Sequence, residues 1–152
     1  MLIQEFVERL LAHMGVEGAE VVVEESDMIF VQISVSEEES GLLIGYHGEV
    51  LASLQKVLQL VYHEHDEDKR IVVNINDYKE RREAQLREMT AKIAQRVLDT
   101  NQTYVFGFLP ANERLIIHKT IVETPEFSRL ESVSEGEGSQ RRLQIRAKQN
   151  ED

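Results

Sequence analysis

Two glycines, Gly45 and Gly48, stand three positions apart in the segment GLLIGYHGEV and constrain the fold more than any other feature of the sequence. A short apolar run precedes them, and apolar residues at helical spacing follow from Val50 to Val61. This layout predicts a tight turn between two helices. Because the first turn of the second helix carries backbone N–H groups without intrahelical partners, such a turn is also suited to binding a phosphate.

The periodicity of the first half predicts a mixed α+β unit around this turn. Apolar residues recur at steps of three and four in the helices and alternate in the strands, with Ser26-Asp27 as the turn of a hairpin. The predicted elements are a helix over 2–14, strands over 21–23 and 29–35, one or two helical turns over 40–44, a helix over 49–62 and a strand over 70–76. Their order is α-β-β-α-α-β.

The residue pattern of the second half predicts a long helix, a short extended segment, a further helix and a β-hairpin. Asp77 is a suitable N-cap for the long helix, and Glu80 completes a capping-box pattern. The helix is expected to run to about residue 99 and to bury a stripe of Leu86, Met89, Ile93 and Val97. The later elements are an extended piece over 103–108, a helix over 111–123 and strands over 130–134 and 141–147.

Charge is distributed unevenly along the chain, whose formal net charge is −11. Residues 1–76 contain 15 acidic and 4 basic side chains, a net −11, whereas residues 77–152 contain 13 of each, a net 0. The acidic half disfavours a polyanionic partner, and the two halves are expected to have different roles.

Composition excludes several classes of protein. The chain has no cysteine, so disulfides and thiolate chemistry are absent. No apolar run approaches the roughly 18 residues of a membrane span, and the N-terminus reads as a helix instead of a signal peptide. We therefore expect a cytoplasmic protein with no membrane partner.

No arrangement of residues predicts an enzyme or a cofactor. His63, His65, Asp66 and Asp68 lie close together in HEHDEDK, but a flexible loop offers no fixed ligand geometry, so a solvated loop is favoured over a metal site. Nucleophile elbows and phosphate-binding P-loops are also missing.

The glycine pair has the spacing of the GXXG loop of KH domains, which clamps about four nucleotides. The element order resembles a type II KH fold, although a plain helix–turn–helix corner is the alternative for the pair alone. Tyr46 can stack on a base, and His47 can carry charge beside a phosphate. KH loops usually place a Lys or Arg between the glycines; here Glu49 follows directly, so weak binding or a role in protein contact is expected.

The second half contains a stronger set of candidate phosphate ligands. Arg114 and His118 lie four residues apart, on one side of the predicted helix, while Leu115, Ile116 and Ile117 are expected to turn into the core. Additional cations are expected to share a basic face with them: Arg81, Lys92 and Arg96 on the long helix, and Arg141, Arg142 and Arg146 on the last strand. The alternative is a solvated face balanced by glutamates.

The motifs occur in an order that resembles one family, the bacterial Jag/KhpB RNA-binding proteins, which join a KH domain to an Arg-x-x-x-His (R-3-H) domain. The resemblance covers about residues 1–148. It rests on the GXXG loop and on three later motifs: Y-x-E-R-R-E over 78–83, E-R-x-x-x-H over 113–118 and S-E-G-E-G over 134–138. Two departures are the missing cation in the loop and Leu115, where the family usually repeats Arg.

The resemblance implies a KH domain over 1–76, an R-3-H domain over 77–148 and a frayed tail over 149–152. It implies binding of single-stranded RNA, with single-stranded DNA as an alternative, and post-transcriptional regulation. It also implies pairing with a small KH protein, or else a homodimer. Because the first helix starts almost at Met1, we expect no counterpart of the additional N-terminal domain of many members.

The sequence thus predicts a non-enzymatic RNA-binding protein whose phosphate contacts come mainly from Arg114, His118 and the basic strand, with Gly45 to Gly48 assisting. A protein-interaction scaffold is the alternative. In that case the acidic KH half docks a partner KH protein or a ribosomal surface.

Overall fold

The chain divides into two units, Met1–Lys79 and Glu80–Asp152, in a computed structural model that describes residues 2–62 and 69–149. The candidate metal ligands His63, His65, Asp66 and Asp68 lie outside the described residues. None of the described helices is long and apolar enough to cross a membrane.

The first unit contains three helices and a three-stranded sheet in the predicted α-β-β-α-α-β order. The middle strand, β2, pairs antiparallel with β1 and parallel with β3, so the two helices between β2 and β3 form the crossover. The elements are α1 (Ile3–His13), β1 (Glu20–Glu25), β2 (Met28–Ser34), α2 (Glu37–Ile44), α3 (Glu49–Tyr62) and β3 (Arg70–Ile75), with a 3-10 turn over Tyr46–Gly48 between α2 and α3.

One face of this sheet packs against the helices. Alternate residues of β2 and β3 are buried, because successive side chains of a strand point to opposite faces. They meet the apolar stripes of α1 and α3 in one cluster. Burial of each such aliphatic side chain contributes about 1.5–3 kcal/mol, which fixes the helices that flank the glycine turn.

The outer edge of β3 is covered by two glutamine side chains of α3. The Oε1 atom of Gln55 accepts a hydrogen bond from the Val73 N–H (3.0 Å), and that of Gln59 accepts one from the Ile71 N–H (2.8 Å). Gln59 also donates to the Lys69 carbonyl (3.2 Å). An edge strand otherwise presents unpaired backbone groups to other chains, so these bonds protect β3 and orient α3 along it.

Helix α2 begins earlier than its apolar pattern predicts. The expected start was Ser40, but the helix begins at Glu37, after Ser36 as N-cap. The Ser36 hydroxyl accepts from the Glu39 N–H (3.3 Å) and donates to the Glu39 carboxylate (3.2 Å). This capping interaction and acidic residues in the first turn, which suit the helix dipole, lie outside the apolar pattern.

The second unit packs two helices on one face of a small antiparallel sheet with strand order β4-β6-β5. Its long helix begins directly after Asp77, close to the predicted position. The elements are α4 (Tyr78–Thr100), β4 (Tyr104–Val105), α5 (Ala111–Glu123), β5 (Leu130–Glu135) and β6 (Arg142–Ala147), with 3-10 turns over Pro125–Phe127 and Gly138–Gln140.

The buried stripe of α4 differs from the predicted one. Leu86 and Val97 are buried as expected, but the positions between them are Thr90 and Ala94, while Met89 is 36% exposed. Thr90 is accommodated because its hydroxyl donates to the Leu86 carbonyl (2.6 Å) and leaves no unsatisfied polar group. The helix therefore presents a slightly rotated face to the core.

Gly45 provides a test of the glycine turn. At Gly45, φ is +71° and an added Cβ would lie 2.5 Å from Cγ2 of Val50, so we expect Gly45→Ala to lower the free energy of unfolding by about 2 kcal/mol. Gly41 is the matched control, since it lies within α2 and a Cβ there meets nothing within 4 Å. Gly41→Ala should stabilise by about 0.5–1 kcal/mol. Urea unfolding measures both, and equal effects would contradict the described turn.

Candidate nucleic-acid interface

The GXXG turn is built so that both glycines are required by the fold itself. Gly45 and Gly48 have φ values of +71° and +77°, and His47 between them has a φ of +51°. A Cβ at Gly48 would lie 3.3 Å from a ring carbon of Tyr78, so that ring packs closely against the turn. The spacing is thus explained by backbone conformation and close packing, whether or not RNA binds there.

Several backbone donors of this turn are already used within the chain. The N–H of Gly45 donates to Gly41, that of Gly48 to Gly45 and that of Glu49 to Tyr46. Tyr46 is 71% exposed, and its ring meets the His47 ring edge-on at 4.1 Å between centroids. The turn therefore offers an exposed ring for stacking but few groups that attract phosphate.

A buried ion pair joins the two helices of the second unit. The Arg82 guanidinium on α4 binds the Glu113 carboxylate on α5 with two contacts, Nε–Oε1 at 2.7 Å and Nη2–Oε2 at 3.0 Å. Glu113 is only 2% exposed. The sequence motifs pointed to both residues, but not to their contact. The pair fixes the first turn of α5, where Arg114 follows.

Arg114 is anchored at one end and open at the other. Its Nη1 donates to the Leu109 carbonyl in the loop before α5 (2.6 Å), and its side chain is partly buried. Across residues 2–62 and 69–149, no carboxylate lies within ion-pair distance of it. A guanidinium carries five N–H donors, so the anchored side chain keeps donors for a phosphate.

His118 lies one turn further along the same side of α5. Its Nδ1 is 2.5 Å from the Ser132 hydroxyl on β5, and the residue is exposed. The bond holds the ring in one orientation and leaves Nε2 as the nitrogen available for a ligand. The structure thus places the two predicted residues together, each held by a neighbouring segment of the second unit.

The expectation for Leu115 was wrong. Ile117 is fully buried and Ile116 partly buried as predicted, but Leu115 is 52% exposed. The buried stripe of α5 runs through Glu113, Ile117, Thr120 and Ile121, and residue 115 lies on the opposite side of the helix. The apolar pattern could not reveal this, because two of the four buried residues are polar.

Arg142 and Arg146 of β6 lie on the face of the sheet that the helices do not cover. Leu143 and Ile145 point into the core below α5, so the alternate residues Arg142 and Arg146 point from the other face of the sheet. Arg146 forms an ion pair with Glu131 (2.7 Å). Arg141, before the strand, donates to the Gly136 carbonyl (3.2 Å).

The cations of α4 lie on a third surface. With roughly 100° per residue, Arg81 and Lys92 fall opposite the buried stripe and Arg96 falls to one side of it. All three are exposed, and Lys92 pairs with Glu88 (3.1 Å). The expected single basic face is therefore not formed, because the helix cations and the strand arginines point away from the shared core in different directions.

A GXXG turn inside an α-β-β-α-α-β unit, followed by a unit with an Arg-x-x-x-His helix, defines a protein with a KH domain and an R-3-H domain. Residues 2–75 match the KhpA/KhpB KH-domain family, and residues 84–147 match the R-3-H domain family. The chain thus contains both of the domains that the Jag/KhpB family joins, in the order that its linked motifs predicted.

Relatives named RNA-binding protein KhpB occur in several bacteria. The protein of Streptococcus pneumoniae is 34% identical over 92 residues, which cover 60% of this chain and 28% of that protein. That of Bacillus subtilis is 30% identical over 128 residues, which cover 84% of this chain and 61% of that protein. The chain thus spans between about a quarter and three-fifths of the length of these relatives.

The Arg82–Glu113 pair can be tested by removing one charge. We expect Glu113→Gln to lower the free energy of unfolding by about 2 kcal/mol, because a buried charge-assisted bond is lost. Glu83→Gln is the matched control, since Glu83 is exposed and pairs with Arg87 across one helical turn. It should cost less than about 0.5 kcal/mol. Similar unfolding midpoints for the two variants would show that the pair does not hold α5.

Proposed function

We propose that this protein is a non-enzymatic, cytoplasmic RNA-binding protein that contacts the phosphates of single-stranded RNA and regulates gene expression after transcription. The observation that supports this most is the state of Arg114, which is anchored through Leu109 and has no carboxylate partner among the described residues. The side chain is thus held in place while it keeps N–H donors for a phosphate. The relatives in Streptococcus pneumoniae and Bacillus subtilis are named RNA-binding proteins, which agrees with this proposal.

Arg114 and His118 can bind one phosphate or two consecutive ones. The guanidinium donates in a fork that matches two phosphate oxygens. When the Ser132 hydroxyl donates to Nδ1 of His118, the neutral ring carries its proton on Nε2, which then donates to a phosphate oxygen. Single-stranded DNA presents the same phosphates, so this contact alone does not distinguish RNA from DNA.

The remaining predicted residues have smaller roles in this proposal. Tyr46 supplies a stacking ring, and the turn from Gly45 to Gly48 assists without a strong charge. Arg81, Arg96 and Arg141 contribute long-range attraction from the surfaces on which they lie, whereas Lys92 and Arg146 contribute little because they pair with Glu88 and Glu131. Because residues 1–76 carry a net −11, the affinity is expected to be modest. Since only a few phosphates are neutralised, its dependence on salt is expected to be shallow.

The central test is a titration of the full chain with single-stranded RNA at several salt concentrations. We expect Arg114→Ala with His118→Ala to lower the affinity at least tenfold and to reduce the salt slope by about one to two, since one or two phosphate contacts are lost. Fluorescence anisotropy with labelled oligonucleotides measures both quantities.

Arg9→Ala is the control for net charge. Arg9 is exposed on α1 and pairs with Glu5, so its removal should change the affinity less than twofold. An equal loss in the control would mean that only total charge matters. Unchanged binding by the double variant would contradict the assignment of Arg114 and His118.

A second candidate function is docking of a small KH protein, or of a second copy, on the first unit. The specific observation is the outer side of α3, where Val57, Leu60 and Val61 are 42%, 68% and 45% exposed and lie close together around the helix. An apolar strip of this kind on an acidic unit favours a protein partner over RNA. A basic ribosomal surface would be attracted by the charge but would not bury this strip.

Leu60→Asp tests this docking surface. Since Leu60 is exposed, the substitution should leave stability within about 0.5 kcal/mol while it weakens association by tenfold or more. Analytical ultracentrifugation of the chain alone, and with a purified small KH protein, gives the readout after nuclease treatment. Association that needs RNA, or that survives Leu60→Asp, would reject the surface.

A further inference from the structure

The side chain of Arg142 is held in an unusual position on the outer face of the second sheet. Its cross-strand neighbour in β5 is Glu135, in the same way that Arg146 lies opposite Glu131. Arg146 pairs with its opposite acid, but Arg142 donates through Nη1 to the Ser139 and Arg141 carbonyls, at 2.7 and 3.0 Å. The guanidinium of Arg142 is thus fixed by carbonyls of the hairpin turn, and no carboxylate of the described part of the chain pairs with it.

Phe108 supports this guanidinium from the loop between β4 and α5. The Cζ atom of Arg142 lies over the Phe108 ring at 6.0 Å from its centroid, within the range of cation–π contacts. Phe108 is 37% exposed although it is a large apolar side chain. The ring and the guanidinium together present a planar, partly exposed cation at the edge of the sheet.

The outer face of the sheet is not packed against the helices of this unit, and the backbone next to Phe108 is uncrowded. A Cβ added at the nearby Gly107 would meet no atom within 4 Å, and the helices of this unit pack on the other face of the sheet. Both bonds of Arg142 use Nη1, so Nε and Nη2 keep their donors. Guanidinium planes and aromatic rings are the surfaces on which single-stranded RNA stacks its bases.

We propose that Arg142, supported by Phe108, is a stacking site for one unpaired nucleobase, separate from the phosphate contacts of Arg114 and His118. The proposal rests on the proposed function, because it assumes that the chain binds single-stranded RNA. Arg142 touches the base through its planar face, and Phe108 is a positioning residue that holds the guanidinium. Arg146, which is neutralised by Glu131, takes no part.

The experiment separates stacking from charge by comparing two probes, oligouridylate and an abasic oligomer with the same number of phosphates. Arg142→Lys keeps the charge but removes the plane. It should lower the affinity for oligouridylate roughly tenfold, leave the affinity for the abasic oligomer within twofold and leave the salt slope unchanged. Phe108→Leu should cause a smaller loss of affinity for oligouridylate. Phe108→Tyr should bind like the wild type because it keeps an aromatic ring.

Arg146→Lys is the matched control, since it makes the same change on the same strand face and should affect both probes less than twofold. Equal losses on the two probes for Arg142→Lys, or equal effects of Arg142→Lys and Arg146→Lys, would overturn the stacking site alone. A protein that binds neither probe overturns the proposed function as well. If circular dichroism shows that Arg142→Lys does not fold, the two Phe108 variants serve as the test. A loss for oligouridylate but not for the abasic oligomer in Phe108→Leu, with none in Phe108→Tyr, would support the stacking site. Equal binding of oligouridylate by both variants would overturn it.

Discussion

The buried contact between Arg82 and Glu113 is the interaction on which the arrangement of the second unit depends. It joins α4 to the first turn of α5 through two short bonds, and it places a carboxylate with 2% exposure next to Arg114 in the chain. Glu113 binds Arg82 through both carboxylate oxygens, while Arg114 donates to the Leu109 carbonyl. Two motifs that stand about thirty residues apart in the sequence therefore meet in one contact, which holds α5; within residues 2–62 and 69–149, Arg114 has no acidic partner.

The two units use their motifs for different ends. In the first unit, the glycine spacing is required by positive φ values and by the packing of Tyr78 against Gly48. The GXXG pattern is therefore evidence for the fold and is not by itself evidence for RNA binding. In the second unit, Arg114 and His118 are each held by one hydrogen bond and keep further donors. The contrast in charge between residues 1–76 and 77–152 agrees with this division, since phosphate binding needs cations that are not already paired.

The sequence predicted the order of the elements well, since most helices and strands bury apolar faces with clear periodicity. The predicted buried faces were wrong where polar residues occupy buried positions of a helix. Thr90 replaces Met89 in the buried stripe of α4 because its hydroxyl is satisfied within the helix, and buried Glu113 turns Leu115 outward. The placement of Arg142 also could not be predicted, because a strand pattern gives alternation but does not say which helices cover which face. These placements depend on contacts between elements that are far apart in the sequence, and local sequence patterns do not reveal such contacts.

The central claim is that the second unit holds single-stranded RNA and that the GXXG turn of the first unit contributes less. Backbone amide NMR of the full chain during titration with oligouridylate tests this most directly. We expect the largest chemical-shift changes in α5 around Arg114 and His118 and in the strand around Arg142, with smaller changes at Gly45 to Gly48. Changes confined to the turn from Gly45 to Gly48, with α5 unaffected at saturation, would contradict it.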